Sequence, residues 1–446
     1  MSTNGKEYNS AQSAQLKEKT ELRQKVEEVV NKTPVTDIHT HLFSPEFGKM
    51  SLFGIDEILT YHYLIAEMFR STDVSTEKFW HLNKREQANL IWKTLFVDNT
   101  PISEAARGVI TVLNSFGLDT NAKDLTEARE FFQTQNIYEH IDRVFEMAKV
   151  SSVVMTNDPF DAEETEIWES GTGIDKRFRA ALRTDPLLNN WKTTAAILEM
   201  LGNQVDINLN QETITTLRNF MDKWIARMKP LYMAVSLPDS FKYPDDNVRN
   251  RLIREVILPT AHEHKLPFAL MVGVRRAVNP ALKWAGDGVG KADVSALERM
   301  CAENPDVRFL ATFLSRENQH ELCVSARKFN NLMPFGCWWF LNNPSIVSEI
   351  TRERIELLGT SFIPQHSDAR ILEQLVYKWQ HSRRVIADAL YDSYEQLLTS
   401  GRAVTVEEIE RDVKRMFEDN FDSWVNLTAK RRYAEMSEDE KMVTTY

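Results

Sequence analysis

Val35-Thr36-Asp37-Ile38-His39-Thr40-His41, entered from Pro34, alternates β-branched or apolar residues with polar ones and reads as a strand that starts at a turn. Successive side chains of a strand point to opposite faces, so His39 and His41 share a face, one pleat repeat apart. Two imidazoles side by side at a strand end can hold a divalent metal, although an arbitrary His-x-His pair is as often packed or solvated. The choice between those readings rests on whether the rest of the chain brings a third ligand to the same place.

Seven further short runs rich in Val, Ile, Leu, Met or Phe follow, at 152–156, 179–182, 232–236, 268–272, 308–313, 332–338 and 361–365; with 35–39 they make eight. Parallel strands buried on both faces need such runs. Helical stretches at 248–264, 294–304, 316–329 and 344–358 separate the later ones. Eight strands alternating with helices predict an α/β fold, a (β/α)8 TIM-type barrel. The usual alternative, an open doubly wound sheet, would carry a Gly-rich dinucleotide turn after an early strand, and none is present.

The barrel is modified. Helical patterns at 55–69, 76–96, 102–116, 126–132 and 137–148 exceed what one crossover requires, so 55–150 reads as a helical insertion after the first strand. An N-terminal segment, 1–33, carries an amphipathic helix at 16–30; 151–371 supplies the remaining barrel, and 372–446 supplies C-terminal helices and a charged tail from 429 that is expected to fray. With no internal repeat or low-complexity linker, 1–446 is one elaborated domain.

A formal net charge of -11 argues against general affinity for nucleic acid or anionic lipid, both of which need clustered positive charge. No apolar run reaches the ~20 residues that span a bilayer. Residues 1–20 contain no apolar signal core, and Cys301, Cys323 and Cys337 are too few for a disulfide framework. A cytoplasmic protein with no nucleic-acid or membrane partner is expected.

In a barrel the C-terminal strand ends face a common pocket. Strand eight runs into Gln365-His366-Ser367-Asp368-Ala369-Arg370, where Asp368 is placed to complete a His39, His41, Asp368 set. Three such ligands leave coordination positions open for substrate. Arg183 at the end of strand three suits a carboxylate, though a rim salt bridge to Asp185 explains it as well. His366 and His320 stand near the pocket and are left open, and His81, His140, His262, His264 and His381 read as surface or packing residues. Asp37 reads as a local cap or as a partner of His39. Gly286-Asp287-Gly288-Val289-Gly290-Lys291 fails as a phosphate loop and reads as a loop over the barrel mouth.

Thr36 to Pro45, Leu59-Thr60-Tyr61-His62-Tyr63, Leu182-Arg183-Thr184-Asp185-Pro186 and Gln365 to Arg370, taken together and in this order, resemble the uronate (glucuronate) isomerases of the amidohydrolase superfamily, from about residue 20 to about residue 425. The resemblance implies an aldose-ketose isomerase that interconverts D-glucuronate with D-fructuronate and D-galacturonate with D-tagaturonate. It implies one divalent metal ion, zinc foremost, held by His39, His41 and Asp368. Asp368 would also be the base that moves a proton between C2 and C1 through a cis-enediol. Tyr63 with His62 would shuttle the hydroxyl proton, Arg183 and Arg370 would grip the substrate, and Trp379 would line the pocket. The partner implied is a small-molecule hexuronate, and the insertion could form a homo-oligomer contact.

These residue types suit that chemistry on general grounds. An enediol builds negative charge that fixed donors or a metal must stabilise, and one base can serve both carbons. Strands four and five end in Ala234-Val235-Ser236-Leu237 and Met271-Val272-Gly273, without the Lys and His that two-metal hydrolases of the superfamily use there, so a single metal is expected. A mononuclear metal-dependent hydrolase is the runner-up, and a binding or scaffolding barrel the third reading.

Overall fold

In the computed structural model, which describes residues 4–425, parallel strands β1 (Val35–Thr40), β2 (Val150–Asn157), β3 (Phe178–Arg183), β4 (Met233–Pro238), β5 (Phe268–Arg275), β7 (Phe309–Phe313) and β8 (Leu332–Pro334) pair side by side in that order. A short β6 (Gly288–Val289) folds back antiparallel on the end of β5. All six residues of β1 are buried, as the apolar composition of the strands anticipates for a sheet covered on both faces.

Residues 361–369 close the ring. Gly336 N donates to Ile363 O at 2.9 Å and Ile363 N to Pro334 O at 3.1 Å on one side; on the other, Asp368 N donates to His39 O at 3.1 Å and His41 N to Ala369 O at 2.7 Å. The first and last barrel positions are therefore neighbours, which is the (β/α)8 arrangement.

Two strand expectations need correction: the run at 332–338 shortens to three residues, and 361–365 is an extended segment with a single bridge at Ile363. Pro334 and Pro364 lack the N–H that a ladder needs, and Gly336, at φ 64°, turns the chain out of the sheet. A Cβ at Gly336 would lie 1.9 Å from His366 Cδ2, so the glycine also makes room for that imidazole.

The insertion between β1 and β2 is helical as expected, but the pattern at 55–69 divides into Ile55–Leu59 and His62–Met68. That at 76–96 breaks after Thr76–His81. There the Asn83 side chain accepts from Glu86 N while the Glu86 carboxylate accepts from Asn83 N, a capping box that restarts the helix at Lys84.

A 26-residue helix, Gln374–Thr399, starts just past the closing segment and packs against the N-terminal helix Asn4–Lys32, the helix Pro344–Leu358 and the insertion helices Glu104–Ser115 and Ile137–Ala148. His140, expected to be a surface or packing residue, is buried with Nε2 2.7 Å from Glu373, whose carboxylate also accepts from Gly54 N; the insertion is thereby tied to the start of this helix. No helix among the described residues is long and apolar enough to cross a membrane, and the three cysteines are free and buried. The charged tail expected from 429 lies outside the described residues.

Candidate active site

A cavity of about 760 Å3 opens at the C-terminal ends of the strands, lined by barrel residues on one side and by the insertion on the other. His39, His41 and Asp368 meet in it: one ligand atom from each lies within 4.8 Å of the others. His39 Nε2 is 3.7 Å and His41 Nε2 is 3.3 Å from Asp368 Oδ1. Bonds of about 2.1 Å at tetrahedral angles put ligand atoms ~3.4 Å apart, so these spacings suit one small cation.

Hydrogen bonding fixes which ring nitrogen is free. Tyr232 Oη donates its only proton to Ile38 O at 2.6 Å and therefore accepts from His39 Nδ1 at 3.1 Å. Thr156 Oγ1 donates to Thr40 O at 3.1 Å and accepts from His41 Nδ1 at 2.8 Å. Both Nε2 atoms then present lone pairs to Asp368 Oδ1, which has no hydrogen-bond partner of its own. Three lone-pair donors facing one another repel unless a cation lies between them, and the second partner on each imidazole is the usual device for aiming a metal ligand. Burial and the neighbouring imidazoles hold the His39 pKa well below its ordinary value, keeping the ring neutral, as a ligand must be. Burial pushes the Asp368 carboxyl up, but positive charge within the cluster outweighs burial and holds it below the ordinary carboxylate range; with the rings neutral, a bound cation would supply that charge.

Asp37 continues the same face of β1 and is fully buried. It accepts from Ser367 N at 3.0 Å and from Trp379 Nε1 at 2.8 Å, and burial pushes its carboxyl up to about 6. It is the clamp that holds the closing segment, and with it Asp368, against β1. The expectation that Trp379 lines the cavity is corrected by the same contacts: its indole lies beneath the site, because a buried carboxylate on that face needs a donor.

Arg183 and Arg370 both face the cavity. Arg183 does what both readings of it require, reaching the cavity while its Nε stands 3.2 Å from Asp185. Arg370 Nη1 donates to His41 O at 3.2 Å, which leaves the rest of its fork for a ligand. His62 lines the cavity among the rings of Tyr61, Trp284 and Trp339, and burial drops its pKa to about 3.

Tyr63 lies behind that wall, with its hydroxyl enclosed and without a hydrogen-bond partner, and Tyr61 takes the cavity-facing place. Tyr61 is the extended residue that precedes the helix His62–Met68, whereas Tyr63 lies in its first turn, and the two rings stand 5.3 Å apart. His366 is buried against His39 with ring centroids 5.2 Å apart and does not line the cavity; His320 is exposed and paired with Glu353. The loop after β5 does cover the mouth, with Trp284 and Asp287 among the lining residues. Tyr232, Thr156 and Tyr61 are the residues that sequence reasoning missed. Barrel order alone points to Thr156, because β2 must lie beside β1.

A crystal structure of a uronate isomerase from Bacillus halodurans is 53% identical to this chain, with a TM-score of 0.90 and a match covering 93% of this chain and 99% of that one. A uronate isomerase from Thermotoga maritima (16% identity, TM-score 0.72, 90% and 97% covered) and a glucuronate isomerase from Caulobacter crescentus (14%, 0.73, 92% and 95%) share the fold. Neither a family model nor a curated protein sequence matches the chain. Identity over half of all positions, extending across nearly the full length of both chains, makes this protein a member of the uronate isomerase family.

Proposed function

We propose that the protein interconverts D-glucuronate with D-fructuronate and D-galacturonate with D-tagaturonate, with Asp368 carrying the proton between C2 and C1. The observation that supports this most is the convergence of His39 Nε2, His41 Nε2 and Asp368 Oδ1 in a cavity that also receives Arg183 and Arg370. His39, His41 and Asp368 fit one divalent cation, a set that accepts zinc, manganese, iron or cobalt and for which zinc is proposed; when bound, the ion would supply positive charge that stabilises oxygens turning negative as a cis-enediol forms.

The chain's own residues do the remaining work. A guanidinium fork holds a sugar carboxylate through two parallel bonds, and two such forks fix which end of the hexuronate approaches Asp368. Asp368, ionised and oriented by its backbone bond to His39 O, takes the C2 proton and returns it to C1. His62, neutral in its aromatic wall, works in relay with the enclosed Tyr63 to move the hydroxyl proton. A cytoplasmic location is proposed because three free, buried thiols suit a reducing compartment.

The test is a direct assay of metal-loaded protein with both uronates in deuterium oxide. Ketose product from at least one of them, with the label at C1 reporting how far the base is shielded from solvent, is the expected result. No ketose from either would refute the proposal.

A further inference from the structure

Behind the His62 wall, the helix Gln374–Thr399 turns Lys378 inward. Its side chain is buried, 2% exposed, and Nζ has no hydrogen-bond partner among the described residues. The charged or titratable groups that act on it are Asp368, Glu104 and Asp37, with His62 and His366 feeling its charge in turn; none of the acids forms an ion pair with it. An unpaired ammonium in a protein interior costs several kcal/mol, and a lysine there is rarely kept for stability. Burial lowers its pKa, as expected for such a group.

The contact that Lys378 does make is with Tyr63: Nζ lies over the ring, 5.4 Å from its centroid. The Tyr63 hydroxyl is enclosed as well and has no partner, and its ring lies 4.2 Å from that of His62, which lines the cavity. A cation over a phenol face attracts the ring and favours any negative charge the oxygen acquires, and the burial of both groups strengthens both effects.

We propose that Lys378 is a positioning residue for the isomerisation, acting through Tyr63: its ammonium holds the phenol behind His62 and stabilises the negative charge that the phenol carries in the transition state. The inference rests on the reading above, in which Tyr63 takes part in moving the hydroxyl proton. The proton that leaves Tyr63 reaches one substrate oxygen through His62, which lines the cavity, and is recovered from the other hydroxyl by the same route within the same turnover. Lys378 itself takes no part in that transfer.

The experiment compares the metal-loaded wild type, Lys378→Met, Tyr63→Phe and the double variant, each by steady-state kinetics and thermal melting. Lys378→Met should lower kcat at least ~10-fold and leave KM within about three-fold, the signature of an interaction made in the transition state. Its melting temperature should equal or exceed that of wild type, because an unpaired buried charge has been removed. In the Tyr63→Phe background the same change should cost little more, since the two act as a unit.

A kcat within about three-fold of wild type would overturn the proposal, as would losses that simply add in the double variant or a kcat that falls together with the melting temperature. A wild type that makes no ketose from either uronate would remove the parent reading and this inference with it. An active wild type with an indifferent Lys378→Met removes only this inference.

Discussion

The two walls of the cavity are made differently. On the barrel side His39 is 2% and Asp368 6% exposed, the closing segment is clamped by Asp37, and each imidazole is aimed by a hydroxyl whose proton is committed to a carbonyl. On the mouth side Trp284 is 47% exposed, and its loop is held to the insertion by a Trp80 Nε1 to Ala281 O bond at 2.9 Å and by ring contacts at its tip. Chemistry that tolerates little misplacement is built on strands, while recognition is built on loops and inserted helices that can give way to a ligand. Substitutions at His39, His41, Asp368 and the groups that aim them should therefore act on turnover or metal retention, and those in the loop that carries Trp284 on substrate affinity.

Asp368→Asn should produce the largest effect. It removes the proposed base and weakens a proposed ligand without changing side-chain volume, so kcat should fall by roughly three orders of magnitude with the fold intact by circular dichroism. Activity within a few-fold of wild type would break the comparison at its centre. Tyr232→Phe leaves the His39 ring in place but removes the oxygen that fixes its tautomer, and metal affinity measured by competition with a chelator should drop ~10- to 100-fold.

Arg370→Lys replaces a planar fork by a point charge. KM for the uronate should rise ~10-fold or more while metal affinity stays as it was, and an unchanged KM would contradict the clamp. At the mouth, Trp284→Ala should raise KM only a few-fold, about 1 kcal/mol of lost apolar contact, with kcat nearly unchanged. A collapse of kcat in that variant would mean that the two walls are not separable.

The smallest effect concerns stability. Glu164, at the cavity edge, accepts from Asn157 Nδ2 and Asp158 N, and burial pushes its carboxyl from 4.5 up to about 7. The folded state thus binds a proton more tightly than the unfolded chain. This contribution is fully present below about pH 4.5 and is lost as pH rises through about 7. Glu164→Gln should flatten that part of the pH profile in thermal melts between pH 5 and 8, and a profile identical to wild type would rule the carboxyl out as its source.

Much of the barrel is legible in the sequence because strands buried on both faces must be short apolar runs, and the order of those runs already makes the first and last neighbours. That order alone brings His39 and His41 to Asp368. The eighth position is harder to read: Pro364 and Gly336 prevent a regular strand that the apolar residues around them suggest. The aiming of the imidazoles is only half legible: barrel order places Thr156 at the end of the strand beside β1, but Tyr232 lies 193 residues from the ring it fixes and nothing in its local sequence marks it. Tyr61 and Tyr63 show a different limit, because a motif names both residues but where the chain enters the helix His62–Met68 decides which one reaches the cavity. Trp379 was misplaced for want of knowing that Asp37, beneath the site, requires a donor.

The central claim is that lone pairs from β1 and a carboxylate from the closing segment converge on one ion. Calorimetric titration of chelator-treated protein with zinc, alongside metal analysis of the dialysed product, tests this most directly. The account predicts one equivalent per chain for the wild type and loss of that equivalent in the His39→Ala, His41→Ala double variant and in Asp368→Ala. Two equivalents in the wild type, or binding that survives either change undiminished, would contradict it.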